Sequence, residues 1–302
     1  MSFQLGKRMG FGVGSFVSYR FSRYQMNMNA SNIGTDTIYQ TIAKSDSSLS
    51  IFSNNISLIL KAGWVYHGDK NNIGITFTAP SIHLWGKGNM EYSVFFTDPL
   101  SYVFAPSNVY IRRQNLLTNY KYPFSAAIGY SRILAKSQFH FSLEYFAKIN
   151  PYYTMPLFGK NKDFKDGDVI YGGEYVKGFQ ESKRSIVNLA LGWEKSIIGT
   201  TELLLGFCTD FNSAQSSWEN ISLADYNLHQ ENFNLFHFSA GIGFVHNKNN
   251  IAVGFTFSAA QQASNSLGDF QNPTSFSKFY GFQNFNAVTE YRSFGVVVGL
   301  TY

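Results

Sequence analysis

The sequence predicts an antiparallel transmembrane β-barrel, a single domain spanning 1–302. Three observations carry that reading: few charges beside many aromatics, ten segments with period-two alternation, and a strict alternation of short and long connections. Charged residues make up 14% of the 302, against about 25% in soluble domains, while aromatics reach 18%, with 30 Phe, 19 Tyr and 4 Trp. Such a chain owns surface that does not face water. The longest apolar runs, such as Val296 to Val298, are a few residues long, far short of the roughly 20 that a spanning helix needs. If the chain crosses a membrane, it must satisfy its backbone as a barrel.

The alternation defines the strands in order. A membrane-barrel strand is about ten residues long, apolar toward lipid and small or polar toward the lumen. The first segment, 10–28, sets Phe11, Val13, Val17, Tyr19 and Phe21 against Gly12, Gly14, Ser18, Arg20 and Ser22. The second, 54–66, sets Ile56, Leu58, Leu60, Ala62 and Trp64 against Ser57, Lys61 and Gly63. The third starts at Ile73, with Ile75 and Phe77 outward. The fourth, 119–131, is expected to point Tyr120, Tyr122, Phe124, Ala126 and Ile128 outward, and the fifth, 139–149, puts Phe139, Phe141, Leu143 and Tyr145 outward against His140, Ser142, Glu144 and Lys148. The sixth and seventh turn Val187 to Trp193 and Leu203 to Phe211 outward on odd positions, with Glu194, Cys208 and Asp210 inward. The last three centre on Phe238, Phe255 and Val296.

Four connections are short (67–72, 135–138, 196–201 and 247–250), and five are long (29–53, 95–118, 150–185, 212–235 and 260–290). Outer-membrane barrels join their strands by short periplasmic turns and long extracellular loops. On that pattern the strand number is even and both termini are periplasmic. Trp64, Tyr66, Trp193 and Tyr302 fall at strand ends on the short-turn side, and Tyr120, Tyr122 and Phe236 on the loop side, as interfacial girdles require. The chain ends on an aromatic, Tyr302, with apolar residues at every second position back to Phe294. That ending resembles the C-terminal strand by which barrel-assembly machinery recognises its clients.

Other function classes find little support. The +5 net charge is scattered and builds no basic stripe with stacking aromatics, so nucleic acid is not an expected partner. The single cysteine, Cys208, excludes a disulfide or a cysteine metal cluster. His140, Ser142 and Glu144 share one face, but residues two apart on a strand lie about 7 Å apart, and a hydrolytic relay needs hydrogen-bonded contact. No catalytic residue, cofactor or metal is expected. The first nine residues lack the apolar stretch of a secretory signal, so the signal was removed or the sequence starts inside the gene.

Asn72-Ile-Gly-Ile-Thr-Phe-Thr-Ala-Pro-Ser-Ile-His-Leu-Trp-Gly-Lys-Gly88, following the strand Leu58 to Tyr66, together with the hairpin layout, resembles the FadL-type family of outer-membrane transporters for long-chain fatty acids and other hydrophobic compounds. The specific part of the resemblance covers 51–96. It implies a bacterial outer-membrane location, membrane lipid and hydrophobic small molecules as partners, and passive transport. The family has an N-terminal plug with an Asn-Pro pair and fourteen strands; here ten are visible. An N-terminal region holding the rest is expected to be missing, and the alternative is a ten-stranded relative acting structurally or as an adhesin through its loops. The expected ligand path comprises Pro80, Trp85, Arg20, Lys61, Glu144, Lys148, Glu194 and Asp210; the alternative for the six charges is that they pair with one another across a packed interior, because unpaired buried charge is costly. Pro80 is singled out because the apolar phase shifts by one across it, from Ile73, Ile75 and Phe77 to Ile82 and Leu84. That shift reads as a bulge or kink: either a gap in the wall for an apolar ligand, or a strand leaving the membrane. The aromatics of 150–185, Tyr152 and Tyr153 among them, either gather ligand or fold over the barrel mouth.

Overall fold

A computed structural model describes residues 2–35, 40–97, 107–156, 178–214, 233–246, 249–264, 267–268, 282–283 and 287–301. Every described element is a β-strand. In chain order these are β1 (Ser2–Leu5), β2 (Met9–Thr35), β3 (Gln40–His67), β4 (Asn71–Thr78), β5 (Ile82–Thr97), β6 (Ser107–Leu117), β7 (Ser125–Ile133), β8 (Ser137–Phe146), β9 (Ile149–Pro156), β10 (Gly178–Lys183), β11 (Ile186–Ile198), β12 (Thr201–Asp210), β13 (Leu235–His246), β14 (Asn249–Ser264), β15 (Leu267–Gly268), β16 (Phe282–Gln283) and β17 (Ala287–Thr301). Thirteen of them make one antiparallel sheet in the order β1-β2-β3-β4-β7-β8-β11-β12-β13-β14-β17, with β5 beside β3 and β6 beside β5.

Several of these strands are halves of a longer one. Residues 79–81 separate β4 from β5, and both halves pair with β3. In the same way β6 and β7, β8 and β9, and β10 and β11 continue one another across short breaks. Counted so, the ten expected strands are all present, and β1 is an eleventh that the alternation did not reveal. It turns back on β2 through 6–8, where Gly6 takes the left-handed backbone (φ 73°) that suits glycine. The start of β1 therefore lies up the wall from the short-turn side, and residue 2 is not at that side as expected.

Register carries the alternation across the sheet. Phe11 opposes Trp64, Trp64 opposes Ile75, Ile75 opposes Ile128, and Ile128 opposes Leu143. Further round, Leu205 opposes Ala240, Ala240 opposes Phe255, and Phe255 opposes Val296. Every partner pair shares a face, so one face is apolar from end to end. It is also bare: Phe294 is 81% exposed, Val17 70% and Phe255 67%. The described buried apolar side chains are only Leu49, Met90, Tyr92 and Met155. A soluble sheet hides its apolar face; this one needs an apolar medium. The opposite face carries Gly12, Gly63, Gly74, Gly129, Gly192 and Gly206 near the short-turn end. Hollows of about 500 and 510 Å³ lie over this glycine-lined face.

The short connections all fall at one end and lace to one another. Arg8 grips Asp69 at 3.0 Å, His67 donates its amide to Arg8 O, and Ser196 donates to Lys136 O. Gly199, again left-handed (φ 57°), starts the turn between β11 and β12.

The long connections differ from expectation. The stretch read as a loop at 29–53 is mostly paired strand, because β2 and β3 form one hairpin in register from Met9–Tyr66 to Thr35–Gln40. Most of 95–118 is likewise strand, as are the two ends of 150–185, where β9 and β10 pair. Ser, Thr and Asn are frequent in 29–53 and blur the period there, yet the backbone of its described residues is paired in register. Residues 157–177 and 215–232, and Tyr302, lie outside the described residues. The sheet does not close. β17 offers fifteen residues at its free edge and β1 supplies four, so the two edges remain separate among the described residues.

Placing an arginine on the bare apolar face separates a membrane wall from a soluble sheet. Phe255→Arg is expected to lower unfolding stability in lipid vesicles by about 2–4 kcal/mol, the penalty at a bilayer midplane. A soluble sheet would tolerate the same exposed change within about 0.5 kcal/mol. Denaturant titration in lipid reads the difference.

Candidate functional site: a gap in the wall

Among the described residues the main sheet opens between the β4–β5 strand and the β6–β7 strand, while β9 and β10 form a two-stranded ladder of their own. Below the opening β4 pairs β7 up to Thr78–Ser125, and above it β5 pairs β6 from Lys87–Leu117. Between those points 79–86 faces 118–124 across an unpaired gap. Pro80 lies at its lower end. Three residues, 79–81, oppose Ile59 and Leu60 between the Lys61–Thr78 and Leu58–Ile82 pairs. This is the expected one-residue bulge. A second irregularity at Leu84 leaves Trp85 opposite Ile56.

Two prolines remove ladder donors here: Pro80 on one side and Pro123 on the other. The ends of the gap are pinned. Ser81 donates its amide to Tyr122 O at 3.2 Å, Tyr122 returns its own amide to Ser81 Oγ at 2.9 Å, and Thr118 N reaches Gly86 O at 3.4 Å. In the middle, 118–122 turns inward over the inner face of β3. Asn55 Oδ1 accepts the Tyr120 amide at 3.4 Å while Asn55 Nδ2 donates to Ser57 Oγ at 2.8 Å. Thr118 Oγ1 donates to Asn54 O, and Thr118 O sits 2.8 Å from His83 Nε2. Tyr120 Oη lies 3.1 Å from Ser53 Oγ, and the Arg20 guanidinium stacks 4.1 Å over the Tyr120 ring. Ser53, Asn55, Ser57 and Thr118 are each at most 2% exposed. They form a buried polar patch in which these groups find partners, as burial requires.

The hairpin of β9 and β10 backs this segment. Asn119 donates to Thr154 O at 2.8 Å, and Lys121 N to Tyr152 Oη at 3.0 Å. Tyr152 Oη donates to Glu181 at 2.7 Å. Met155 fills the space over Gly88, where an added Cβ would meet its Sδ at 2.8 Å. At Gly86 a Cβ would collide with Thr118 O. Only glycine admits so close a backbone approach.

The expected path residues divide around this gap. Pro80 and Trp85 border it, Trp85 on the outer face and 43% exposed. Arg20 stacks on the inward segment. Lys61 pairs with Thr78 just below, its ammonium 5.6 Å from the Phe16 ring. Glu144 accepts a hydrogen bond from Ser125 at the gap's lower rim, 2.9 Å away. Lys148 does not belong to a strand; it lies in the break at 147–148 between β8 and β9. Glu194 is elsewhere, 3.2 Å from His140. Asp210 ends β12 opposite Leu235, also away from the gap. Among the described residues these six charged side chains make no ion pair with one another. His140 faces Glu194 while Glu144 binds Ser125, so His140, Ser142 and Glu144 form no relay. Tyr120, expected outward, points inward because Asn55, Ser53 and Arg20 satisfy it there. Of the other residues that build the gap, Asn55, Thr118 and Gly86 were not singled out from the sequence. Pro123, inside a segment read as a strand, was the available signal.

No protein-family model matches the chain, and no curated protein matches it. Solved structures do. The chain is similar to a FadL homologue of Pseudomonas aeruginosa, with a TM-score of 0.54 at 10% identity over 98% of this chain. The chain spans 65% of the length of that structure. It is also similar to the Pseudomonas putida toluene transporter TodX (TM-score 0.46, 10% identity, 98% of this chain and 79% of that one) and to the CymD monoaromatic hydrocarbon channel (0.42, 12%, 85% and 75%). The first of these likenesses establishes the fold as that of a FadL-type β-barrel wall.

Gly86 tests the close approach. Gly86→Val is expected to cost about 1–3 kcal/mol of unfolding stability by overpacking against Thr118. Gly74→Ala, where the nearest atom to an added Cβ is 3.9 Å away, should stay within about 0.5 kcal/mol. Equal effects in the same titration would remove the close approach as a structural constraint.

Proposed function

We propose that this chain is an outer-membrane transporter that passes hydrophobic molecules, long-chain fatty acids among them, through the gap beside Pro80. The observation that carries the reading is the position of the gap within the apolar band. The outer face stays apolar past Pro80, through Ile82, Leu84 and Trp85 on the same strand and Val17, Tyr19 and Phe21 on β2, all exposed. A strand leaving the membrane at Pro80 would lose that face. Unpaired backbone at membrane depth is tolerated only where it is buried in protein or lines a cavity. An opening there lets an apolar ligand leave sideways into lipid. The inner face adds support: glycines line it on neighbouring strands near the short-turn end, with hollows of about 500 and 510 Å³ over it. The proteins similar in fold include one titled a FadL homologue. Transport of this kind uses no cofactor and no catalytic residue. Lipid is the partner of the bare outer face, and the C-terminal strand β17, with Phe294, Val296, Val298 and Leu300 on one face, suits recognition by assembly machinery.

The test uses the full chain expressed in the outer membrane of a host lacking its own carrier. Initial uptake of a radiolabelled long-chain fatty acid and of toluene is compared with uptake in cells without the chain. Both probes are expected to enter faster with it. Ile82→Glu, which sets a carboxylate on the apolar lip, should cut uptake about tenfold, a penalty of about 1.4 kcal/mol for desolvating the charge. Uptake no faster than in cells without the chain, for both probes, would leave the structural or adhesive barrel as the better reading.

A further inference from the structure

The two sides of the gap are nearly equal in length, and that equality has a function. Eight residues, 79–86, face seven, 118–124, between the Thr78–Ser125 pair and the Lys87–Leu117 pair. One bulge would let them zip into continuous wall. The sequence of 118–124 also carries the pattern of a wall strand, with Tyr120, Tyr122 and Phe124 on alternate positions. Yet Tyr120 is drawn inward, and its amide, ring and hydroxyl are held by Asn55, Arg20 and Ser53. The segment thus has two compatible places: in the wall, by pattern and length, and under β3, by its polar contacts.

We propose that Asn55 and Thr118 are positioning residues that latch 118–122 inward and so keep the gap open, and that releasing them lets the segment close the wall. Asn55 spends both ends of its amide here, on the Tyr120 N–H and on Ser57 Oγ. Thr118 holds β3 through its hydroxyl and His83 through its carbonyl. None of these bonds contributes to a regular ladder. The Asn55–Tyr120, Thr118–Asn54 and Thr118–His83 bonds join the inward segment to β3 and β5, and the Asn55–Ser57 bond within β3 fixes the Asn55 amide that holds Tyr120. Pro80 and Pro123 act at the lower end, where each removes a donor and so weakens the competing zipped state. The movement needs no change in the ladders above and below, which pin the segment at Ser81–Tyr122 and Gly86–Thr118. That this movement controls a ligand path rests on the function proposed above; the latch itself does not.

The experiment separates the two. In the full chain carrying Cys208→Ser, Leu84→Cys and Tyr120→Cys are introduced, two positions that oppose each other only when the wall is zipped in the register of the upper ladder. The Tyr120 backbone contact with Asn55 and both Thr118 contacts survive this change. The initial rate of disulfide formation is followed in lipid vesicles under a mild oxidant. With Asn55 and Thr118 native, cross-linking is expected to be slow. Adding Asn55→Leu or Thr118→Val should speed it about tenfold each, the equivalent of about 1.4 kcal/mol for a lost buried hydrogen bond. Thr118→Ser, which keeps the hydroxyl, should restore the slow rate and guards against a merely unfolded variant. A rate that Asn55→Leu and Thr118→Val leave unchanged, with the folded form intact by gel mobility, overturns the latch. Uptake is then measured in cells with the cross-link formed and again after reduction. Uptake blocked by the cross-link and restored by reductant supports a gated path. A latch-dependent cross-link that leaves uptake untouched overturns gating of transport while leaving the latch standing.

Discussion

The constraint on which this structure depends is that a peptide group in an apolar medium must find its hydrogen bond within the protein. It explains why the described residues, with such exposed Phe and Val, lie almost entirely in paired strands, and why the turns at 6–8, 68–70, 134–136 and 199–200 bond to their neighbours. It also makes the unpaired stretch between 79–86 and 118–124 informative. A ladder lost in water is compensated by solvent. A ladder lost at the depth of Ile82 and Leu84 needs other partners, and the chain supplies them with a buried set of Ser, Asn and Thr side chains. The polar patch at Ser53, Asn55, Ser57 and Thr118 is therefore the counterpart of the gap, and the two have to occur together.

The two faces of the sheet obey different rules. The outer face is selected for transfer into lipid, which is insensitive to shape, so Phe, Val, Leu and Ile interchange along it. The inner face is selected for space. Glycines recur across neighbouring strands, and the side chains among them are mostly small. Where the inner face is crowded, it is crowded by the chain's own segments: 118–122 and the β9–β10 hairpin, for which Gly86 and Gly88 make room. Packing in the usual sense is confined to this region, and Leu49, Met90, Tyr92 and Met155 are its apolar part.

The wall was legible in the sequence because its signal is periodic and repeated. The alternation from Phe11 to Phe21, or from Ile251 to Phe257, leaves one reading for each strand, and the turn lengths fix how neighbours connect. The upper halves were not legible. From 29 to 53 polar residues break up the alternation on both faces, so the period fades although the backbone of the described residues stays paired. The site was half legible. Pro80 announced itself through the phase shift, and Arg20, Lys61 and Glu144 through charge on a small-residue face. Asn55 and Thr118 gave no such sign, because their importance lies in contacts with residues about 65 positions away. Tyr120 was misplaced for the same reason: alternation specifies a face only while the ladder continues, and here the ladder stops.

The hairpin of β2 and β3 reaches far beyond the apolar band. At about 3.3 Å per residue, its 27- and 28-residue strands are each about 90 Å long, whereas a spanning strand needs only about ten residues. β5 and β6 extend alongside it, so what stands out is a four-stranded blade and not a floppy ribbon. The root of that blade is the stretch of β3 and β5 that borders the gap, with Asn55 in it. Mechanically the blade is a cantilever, and a cantilever bends where its section is weakest. Here that is the level at which 118–124 leaves the ladder, so sideways load on the projecting end is concentrated at the gap and is not shared around the wall.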